Sequence, residues 1–583
     1  MKFPLLLRLA VLACVLSPVA VSANPLLARS LDAMSRADTA VVGGIQLLSP
    51  RLLADFYTQR GNVLVWTDAQ QLRELLEIVD GSAAEGLSPA DFHAAALRAR
   101  SSAGAPRGLS AAERLTADLQ LSDALLRYVH HTRFGKLDPK AVDPKWNDRA
   151  PVPAAALLAD MHGALDAPDL SDFLVSRLAP PFWYQDLKAA LANLTDMEHL
   201  KGLPPLPSGP NLAKGSRGAR VALVRERLQL LGHHDDSALP ADLELFDDAL
   251  AEAVMAFQRR VGLSPDGVVG PRTLAVINDP VDEAKIEKVR INLERMRWLY
   301  DDLPSDYVFV DVANYLAHLV RNGEIAWSTR VIVGTEKDQT PMFRDSMEHL
   351  VFNPTWSVPI SIQKKMGNVS AKYTLVDRRT GRKTNGGNAS NYKRYRVVQK
   401  PGPGNALGQV KFMFPNRHAV YLHDTPSRGL FGRSQRALSH GCVRVQNPLK
   451  LAELLLGESG WSPSRIGSAV KRARTRYVHL DEHLPVLLYY LTARANAQGG
   501  VYFRKDIYGR DPALREAFAG EVRRARIAFD EASPIPAGEA VSDPAPGLDS
   551  GDPEMLDRGS DPSPAPAPSG EGVRLTQTEE REG

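Results

Sequence analysis

The chain has 583 residues, a formal net charge of +3, 44% hydrophobic residues and 24% charged residues. This composition is typical of a globular protein, and the length predicts two to four domains. It excludes a collagenous, coiled-coil or wholly disordered chain. After the first 23 residues no apolar run approaches the roughly 18 to 20 residues needed to cross a bilayer, which excludes a polytopic membrane protein.

The first 23 residues have the pattern of a secretory signal peptide. Lys2 and Arg8 form a basic start, residues 9–16 form a short apolar run, and residues 21–23 are small. We therefore expect an exported mature protein outside the cytoplasm. A lipoprotein cleavage box ending at Cys14 is the alternative, and it is disfavoured because only five apolar residues separate Arg8 from the cysteine.

Residues 30–205 have mostly helical periodicity. A cluster of Pro and Gly at 202–210 predicts a linker at the end of this region. We therefore expect a helical domain over 30–205. Its clearest signal is a set of apolar residues at steps of four, seven and three, as on one face of a helix: Leu115, Leu119, Leu126 and Val129.

The sequence pattern over residues 212–278 predicts a small module of three helices. Apolar residues at helical spacing end at Gly232, a second helical run follows, and Asp266 and Gly267 form a turn before a third. The pattern resembles the small peptidoglycan-binding domain of exported wall enzymes. The alternative is a helical spacer that binds no ligand. The residues that carry the resemblance are Gly218, Leu228, Leu231, Gly232, Phe246, Asp247, Phe257, Gln258, Gly262, Leu263, Asp266, Gly267, Gly270 and Thr273.

From about residue 285 the pattern changes to strands, which predicts a mostly β domain over 285–515. A polar stretch rich in Lys, Arg, Asn and Gly at 361–395 interrupts it, and we interpret that stretch as either an inert insertion or a mobile lid. The strand candidates are 307–312, 329–333, 349–353, 396–399, 411–414, 419–423 and 486–490.

Residues 531–583 form an acidic, Pro-rich tail. They contain twelve acidic residues against three arginines, a net charge of −9, so the rest of the chain is basic. A segment of this composition cannot bury enough apolar surface to fold, so we expect the tail to be disordered. The basic body is compatible with an anionic polymer as partner, but no clustered basic stripe indicates nucleic acid.

Cys442 is the one cysteine outside the signal segment, so it has no internal disulfide partner. Nearby cations at 433–436 and the adjacent His440 favour a thiolate, and Gly441 lets the amides of residues 440, 441 and 442 converge on a developing oxyanion. This pattern indicates acyl transfer by a thiol nucleophile. The alternative is a buried structural cysteine.

A thiol nucleophile needs a base, and two histidines are candidates. His440, two residues before Cys442, is the weaker candidate. His423 closes a predicted strand and opens a turn, so it can lean across to a thiol on a neighbouring segment. We therefore predict His423 as the base.

The region around Cys442 resembles the catalytic domain of the L,D-transpeptidase (YkuD) family, in its large periplasmic form. The likeness covers residues 40–515 and includes a helical scaffold domain and the binding module. It implies a multidomain α+β protein, with a lid subdomain inserted at 361–395, in the periplasm of a Gram-negative envelope. The motifs are Ser439-His440-Gly441-Cys442-Val443-Arg444, His423-Asp424-Thr425-Pro426, 330–334, Gln339-Thr340-Pro341, 353–359, 401–408, Lys411-Phe412 and 506–511.

The resemblance also implies roles for individual residues. Cys442 would attack the bond between diaminopimelate and D-alanine in a tetrapeptide stem, releasing D-alanine and leaving a thioester, and His423 would be the base. The amides of His440, Gly441 and Cys442 would form the oxyanion hole. Residues expected to bind substrate are Arg444, Ser439, Tyr421 and Trp356, where Arg444 is alternatively a structural ion pair and the two aromatic residues are alternatively core.

The implied reaction is transfer to the side-chain amine of another diaminopimelate, giving a 3-3 crosslink, and some family members instead use a lipoprotein lysine. It requires no cofactor. A metal site is not expected either, because adjacent histidines at 130–131 and 233–234 rarely converge on one ion. The alternatives are an L,D-carboxypeptidase or crosslink-cleaving endopeptidase using the same thiol, and a wall-binding scaffold with a vestigial thiol. Other wall-synthesis enzymes are possible partners, and no transmembrane segment is expected.

Overall fold

The fold is described from a computed structural model of the chain. The described residues are 25–102, 109–143, 151–177, 182–196, 203–232, 242–260, 263–278, 283–299, 303–495, 500–520 and 527–529. The predicted signal peptide, the tail at 531–583 and the pair at 233–234 lie outside them.

The helices are α1 (Pro25–Ser35), α2 (Pro50–Gln59), α3 (Ala69–Gly81), α4 (Ala94–Ser102), α5 (Ala111–Phe134), α6 (Pro139–Val142), α7 (Ala154–Asp166), α8 (Leu170–Arg177), α9 (Phe182–Asp196), α10 (Ala219–Leu230), α11 (Asp248–Arg260), α12 (Pro271–Asn278), α13 (Glu283–Arg297), α14 (Ile360–Gln363), α15 (Pro448–Leu456), α16 (Pro463–Lys471) and α17 (Asp511–Ala519). The strands are β1 (Val41–Val42), β2 (Ile45–Gln46), β3 (Val152–Pro153), β4 (Tyr307–Asp311), β5 (Leu316–Arg321), β6 (Glu324–Gly334), β7 (Phe343–Phe352), β8 (Trp356–Ser357), β9 (Asn368–Asp377), β10 (Lys383–Asn388), β11 (Tyr395–Gln399), β12 (Val410–Met413), β13 (Leu422–His423), β14 (Ala437–Ser439), β15 (Val443–Val445), β16 (Arg476–Tyr489), β17 (Ala493–Ala495), β18 (Val501–Phe503) and β19 (Ile527–Ala528).

The chain divides into two compact units. The first comprises residues 1–83, 87–131 and 153–179, and the second comprises 84–86, 132–152 and 180–583. The regular structure described in the first unit is helical, apart from the short strands β1 and β2 and the end of β3, which confirms the predicted helical N-terminal region. The side chain of Ser49 accepts a hydrogen bond from the backbone of α2, which fixes where that helix begins.

The module after the linker has its own apolar core, built from α10, α11 and α12. Gln258 is 1% exposed and ties α11 to the following turn. Its Nε2 donates to Asp266 Oδ1 at 2.7 Å, and its Oε1 accepts from the amide of Gly267 at 2.9 Å. These bonds satisfy a buried amide, so the turn is fixed by one side chain.

The second unit contains a nine-stranded sheet among its described residues. The strand order is β14-β6-β15-β13-β12-β7-β16-β4-β5, and β5 also pairs with β6, so the sheet curves back on itself. Leu350, Val310 and Leu488 are 0% exposed in its core. Burial of each such side chain stabilises the fold by about 1.5–3 kcal/mol. The mostly β character predicted from the sequence is confirmed.

The polar stretch at 361–395 contains ordered strands. β9 and β10 form an antiparallel hairpin, and β11 joins it to β8 in a four-stranded sheet of order β10-β9-β11-β8. A register shift between Asn385 and Gly387 marks a bulge, where Gly386 has φ 74°. The polar composition of β9 and β10 hid these strands from the sequence analysis, because neither buries a full face.

Among the described residues, no helix is long and apolar enough to cross a membrane.

Candidate active site

Cys442 lies in a tight turn between β14 and β15, and it is 0% exposed. Gly441 has φ 113°, a conformation that favours glycine. Ser439 is buried beneath the turn, where its Oγ donates to the carbonyl of Cys442 at 2.6 Å and accepts from the amide of Gly441 at 3.1 Å. One hydroxyl therefore holds both ends of the turn that carries the thiol.

These contacts correct two expectations. The amide of Gly441 is directed to Ser439 Oγ, so in this conformation it does not face a developing oxyanion. Ser439 is 0% exposed and bonded within the turn, so it shapes the loop and does not line a substrate surface. The amides of His440 and Cys442 remain as candidates for the oxyanion hole.

His423 lies on the strand beside the thiol. β13 and β15 are parallel, with His423 opposite Arg444, and the amide of Val443 donates to the carbonyl of Tyr421 at 3.1 Å. Continuing this register places Cys442 opposite Tyr421, so Cys442 and His423 are diagonal neighbours on one face. Diagonal pairs are about 7–8 Å apart at Cα, within reach of an imidazole and a thiol.

The imidazole of His423 is held in one tautomer. Its Nδ1 lies 2.5 Å from the backbone carbonyl of Asp424, and a carbonyl only accepts hydrogen bonds. Nδ1 therefore carries the proton, which leaves Nε2 as the basic nitrogen in the neutral ring. The ring is 0% exposed and packs edge-on against Tyr421, with centroids 5.5 Å apart.

The carboxylate of Asp424 has a structural role in the loop after His423. It accepts from both the guanidinium of Arg428 at 3.1 Å and the amide of Gln409 at 2.9 Å, so it anchors the loop after His423. Gly408 has φ 62°, and a Cβ there would lie 2.4 Å from this carboxylate. Glycine is therefore required at 408 for the loop to approach Asp424.

A buried chain of hydrogen bonds supports the thiol turn from below. Thr340 Oγ1 donates to the carbonyl of Gly441 at 2.8 Å and accepts from the amide of Gly334 at 2.9 Å. The hydroxyl of Tyr508 donates to the carbonyl of Gly334 at 2.8 Å and accepts from the amide of Thr340 at 3.1 Å. Burial raises the pKa of Tyr508 to about 12, so this hydroxyl stays protonated at neutral pH.

Thr340 and Tyr508 are the functional residues that the sequence reasoning missed. Both fall inside motifs of the family resemblance, but they lie 101 and 174 positions from the carbonyls that they contact. No local sequence pattern reveals such long-range contacts. The available signal was that both residues lie within motifs of the family resemblance.

The sheet face that carries His423 and Cys442 also carries two buried cations beside His423. Lys411 is opposite His423 on β12, and Arg444 is opposite it on β15, each 4% exposed. The Nζ of Lys411 lies 4.0 Å from the ring centroid of Tyr421. Opposed residues share a face, so His423 has a cation on either side. Lys411 belongs to a motif of the family resemblance, which implies no role for it.

The remaining predicted residues lie farther from this arrangement or serve the core. His440 is partly exposed, with its Nε2 3.8 Å from Asp338 Oδ2, which is a loose ion pair at the surface. Trp356 is 2% exposed and belongs to the hydrophobic core, the second of the two alternatives for this residue. Tyr421 is also buried in that core while its ring contacts Lys411 and His423.

Arg436, in the basic run before the thiol, is bound to the backbone. It donates to the carbonyls of Val331, Arg433 and Tyr315, so its guanidinium fastens the strand β14. The effect of this run on the thiol stays a prediction. The cations beside His423, Lys411 and Arg444, come from other strands.

Among the described residues no group of three or more His, Cys, Asp or Glu side chains is placed to hold a metal ion. His130 and His131 are both 0% exposed, and their Nδ1 atoms lie 3.1 Å apart inside the first unit.

Three family models match separate parts of the chain. Residues 51–191 match the "Scaffold domain", residues 217–277 match the "Putative peptidoglycan binding domain", and residues 305–472 match the "L,D-transpeptidase catalytic domain" known as YkuD. Over these three regions the chain is similar to a scaffold domain, a peptidoglycan-binding domain and the catalytic domain of L,D-transpeptidases.

Individual relatives agree with this assignment. A protein of Haemophilus influenzae described as "Putative L,D-transpeptidase" is 34% identical over 252 residues, which are 40% of this chain and 49% of the relative. The chain thus matches about half the length of this curated relative.

Two solved L,D-transpeptidase structures are also similar. The one from Xylanimonas cellulosilytica is 20% identical, covering 48% of this chain and 99% of that chain with a TM-score of 0.15. The one from Stackebrandtia nassauensis is 15% identical, covering 49% and 97% with a TM-score of 0.15. TM-scores of this size do not establish a shared fold, so the assignment rests on the family models.

Proposed function

We propose that the protein is a peptidoglycan L,D-transpeptidase with Cys442 as nucleophile and His423 as base. The observation that carries this proposal is the tautomer of His423: the Asp424 carbonyl holds Nδ1–H, which leaves Nε2 basic on the face that also carries Cys442. A thiol beside such a nitrogen is the minimum that acyl transfer requires.

In the first half-reaction, His423 Nε2 takes the proton of the Cys442 thiol. The thiolate attacks the carbonyl carbon of the diaminopimelate in the donor tetrapeptide, and the amides of His440 and Cys442 stabilise the oxyanion. When the intermediate collapses, the C–N bond to D-alanine breaks and the leaving amine receives the proton from His423. The products are free D-alanine and a thioester on Cys442.

In the second half-reaction, the side-chain amine of another diaminopimelate attacks the thioester. His423 Nε2 removes a proton from this amine, and the regenerated Cys442 thiolate receives it as the C–S bond breaks. The new amide is a 3-3 crosslink. One imidazole therefore serves both halves, as base and then as acid.

The two buried cations flanking His423 bind substrate in this proposal. Arg444 pairs with a carboxylate of the stem peptide, because a guanidinium binds carboxylates through two parallel hydrogen bonds. Lys411 adds a second positive charge on the other side of the base.

The inserted sheet at 361–395 is the lid of the site. It joins the rest of the domain through the pairing of β8 with β11, and apolar residues such as Met366 and Tyr373 pack against the main core. A closed lid excludes water, so the acceptor amine outcompetes hydrolysis of the thioester. Deleting residues 368–394 should increase tripeptide products relative to dimers, and unchanged partitioning would refute this role.

The other parts of the chain bring the catalytic domain to its substrate. The module at 212–278 binds peptidoglycan, and the signal peptide at 1–23 directs export to the periplasm. The domain boundaries follow the sequence pattern: a scaffold at 30–205, the module, a catalytic domain at 285–515 and the tail at 531–583.

Product analysis tests the proposed reaction. The mature protein is incubated with disaccharide-tetrapeptides, and the products are separated and sequenced by tandem mass spectrometry. We expect 3-3 linked dimers and free D-alanine from the wild type, and none from Cys442→Ala or His423→Ala. His440→Ala is the matched control and should retain crosslinking. Tripeptide monomers without dimers would reassign the protein as an L,D-carboxypeptidase.

A further inference from the structure

A basic pocket of about 450 Å³ opens where α16 ends and β16 begins. It lies away from the thiol, because Arg476 is opposite Phe352, which is in turn opposite Val410, and this row lies on the sheet face that alternates with the one carrying Lys411 and His423. The residues that line it are Ala469, Arg472, Arg474, Thr475 and Arg476.

The charges of this pocket are not neutralised by the protein. Within the described parts of the chain, Arg472, Arg474 and Arg476 form no ion pair with a carboxylate, and all three are exposed. The dipole of α16 accounts for Lys471 and Arg472 at its C-terminal end. The dipole does not account for Arg474 and Arg476, which lie beyond the helix. The three guanidiniums therefore lie close together although their charges repel.

Trp461 holds part of this cluster in place. The guanidinium carbon of Arg476 lies 4.7 Å from its ring centroid, and that of Arg465 lies 4.5 Å away. The indole is 5% exposed and stacks on Phe352 at 5.5 Å. A cation–π contact positions a guanidinium without cancelling its charge, so the cluster keeps its positive charge available to an anion.

The backbone of the pocket is also fixed. Asn353 Nδ2 donates to the carbonyls of Ala469 at 3.0 Å and Arg474 at 3.2 Å, and Thr475 Oγ1 donates to the carbonyl of Asn353 at 2.8 Å. Asn353 and Ala473 both have positive φ, 48° and 52°, although neither is glycine. Such conformations persist only where surrounding structure holds them. The arginines are therefore presented by a preorganised loop.

We propose that this pocket binds a phosphate or diphosphate group, either free or as part of a lipid headgroup. Three guanidiniums around one cavity exceed the single charge of a carboxylate, whereas a diphosphate carries enough charge and enough oxygen acceptors to engage all three. The cavity volume lies in the range of small-ligand sites and accommodates a diphosphate with its substituent. The site is independent of the proposed transpeptidase reaction.

Titration calorimetry on the whole mature protein tests the chemistry, at constant ionic strength, with inorganic pyrophosphate, inorganic phosphate and citrate as probes. We expect saturable binding of pyrophosphate, tighter than that of citrate. The variant R472S/R474S/R476S should bind pyrophosphate at least about tenfold more weakly. The matched control R378S/R379S/R382S removes three arginines from the hairpin at β9 and β10 and should bind as the wild type does.

Cosedimentation with phosphatidylglycerol vesicles distinguishes the two sources of the phosphate. Retention on vesicles that pyrophosphate reverses assigns a lipid headgroup, and pyrophosphate binding without retention assigns a soluble phosphate compound. The proposal is wrong if citrate binds as tightly as pyrophosphate, if the control variant loses as much affinity as the pocket variant, or if the wild type binds neither pyrophosphate nor vesicles. R474S alone, with its exposed side chain, repeats the test should the triple variant fold poorly.

Discussion

Replacing Thr340 by Val tests the buried support beneath the thiol turn. The side chain is 0% exposed, and valine has nearly the same shape but lacks the hydroxyl. The substitution leaves the amide of Gly334 and the carbonyl of Gly441 without this partner. Each buried polar group that loses its partner costs about 1–3 kcal/mol, so for the two groups together we expect a loss of about 2–6 kcal/mol.

The assay is thermal unfolding followed by calorimetry, together with the rate of D-alanine release. A loss of this size lowers the Tm of a domain of about 200 residues by roughly 4–24 °C, at about 2–4 °C per kcal/mol. The rate should fall at least about tenfold at a temperature where the variant is folded, because the turn that positions Cys442 loosens.

Thr329 provides the matched control for this prediction. It is also a buried threonine of the same domain, 6% exposed, but its hydroxyl has no hydrogen-bond partner among the described residues. Thr329→Val should therefore leave the Tm and the rate unchanged or raise the Tm slightly. The reasoning fails if Thr340→Val behaves like Thr329→Val.

Two further predictions concern the loop after His423 and the sheet. Gly408→Ala should lower crosslinking and thermal stability together, since its Cβ would lie 2.4 Å from the Asp424 carboxylate; activity and Tm equal to the wild type would contradict this. Burial raises the pKa of Asp345 from 3.8 to about 6, so the folded state holds that proton more tightly than the unfolded state does. Stability should then decrease as the pH rises from 4 through 6, and Asp345→Asn should remove this part of the pH dependence in denaturant titrations; an unchanged profile would refute it.

The sequence was most informative where chemistry requires particular neighbours. The flanks of Cys442 and the strand ending at His423 indicated the candidate site, and the periodicity of β4 and β12 indicated the main sheet. The boundary of β13 was less accurate: the strand was predicted from 419, but Ala419 has φ 54° and the strand begins at Leu422. A left-handed residue breaks the ladder, and alternation alone does not reveal it.

The contacts that the sequence did not reveal are long-range. β16 begins at Arg476, ten residues before the predicted strand, because the polar residues 481–483 interrupt the apolar pattern at a register shift between His479 and Leu484. The hydroxyl of Ser439, predicted to bind substrate, bonds within the turn instead, and only the turn geometry shows this contact.

Intact-protein mass spectrometry of the acyl-enzyme tests the central claim most directly. The mature protein is mixed with disaccharide-tetrapeptide and quenched in acid, and the modified residue is located by peptide mapping. The account predicts a disaccharide-tripeptide thioester on Cys442, formed with one equivalent of D-alanine and absent from Cys442→Ala. D-alanine release that persists in Cys442→Ala, or an adduct on another residue, would contradict it.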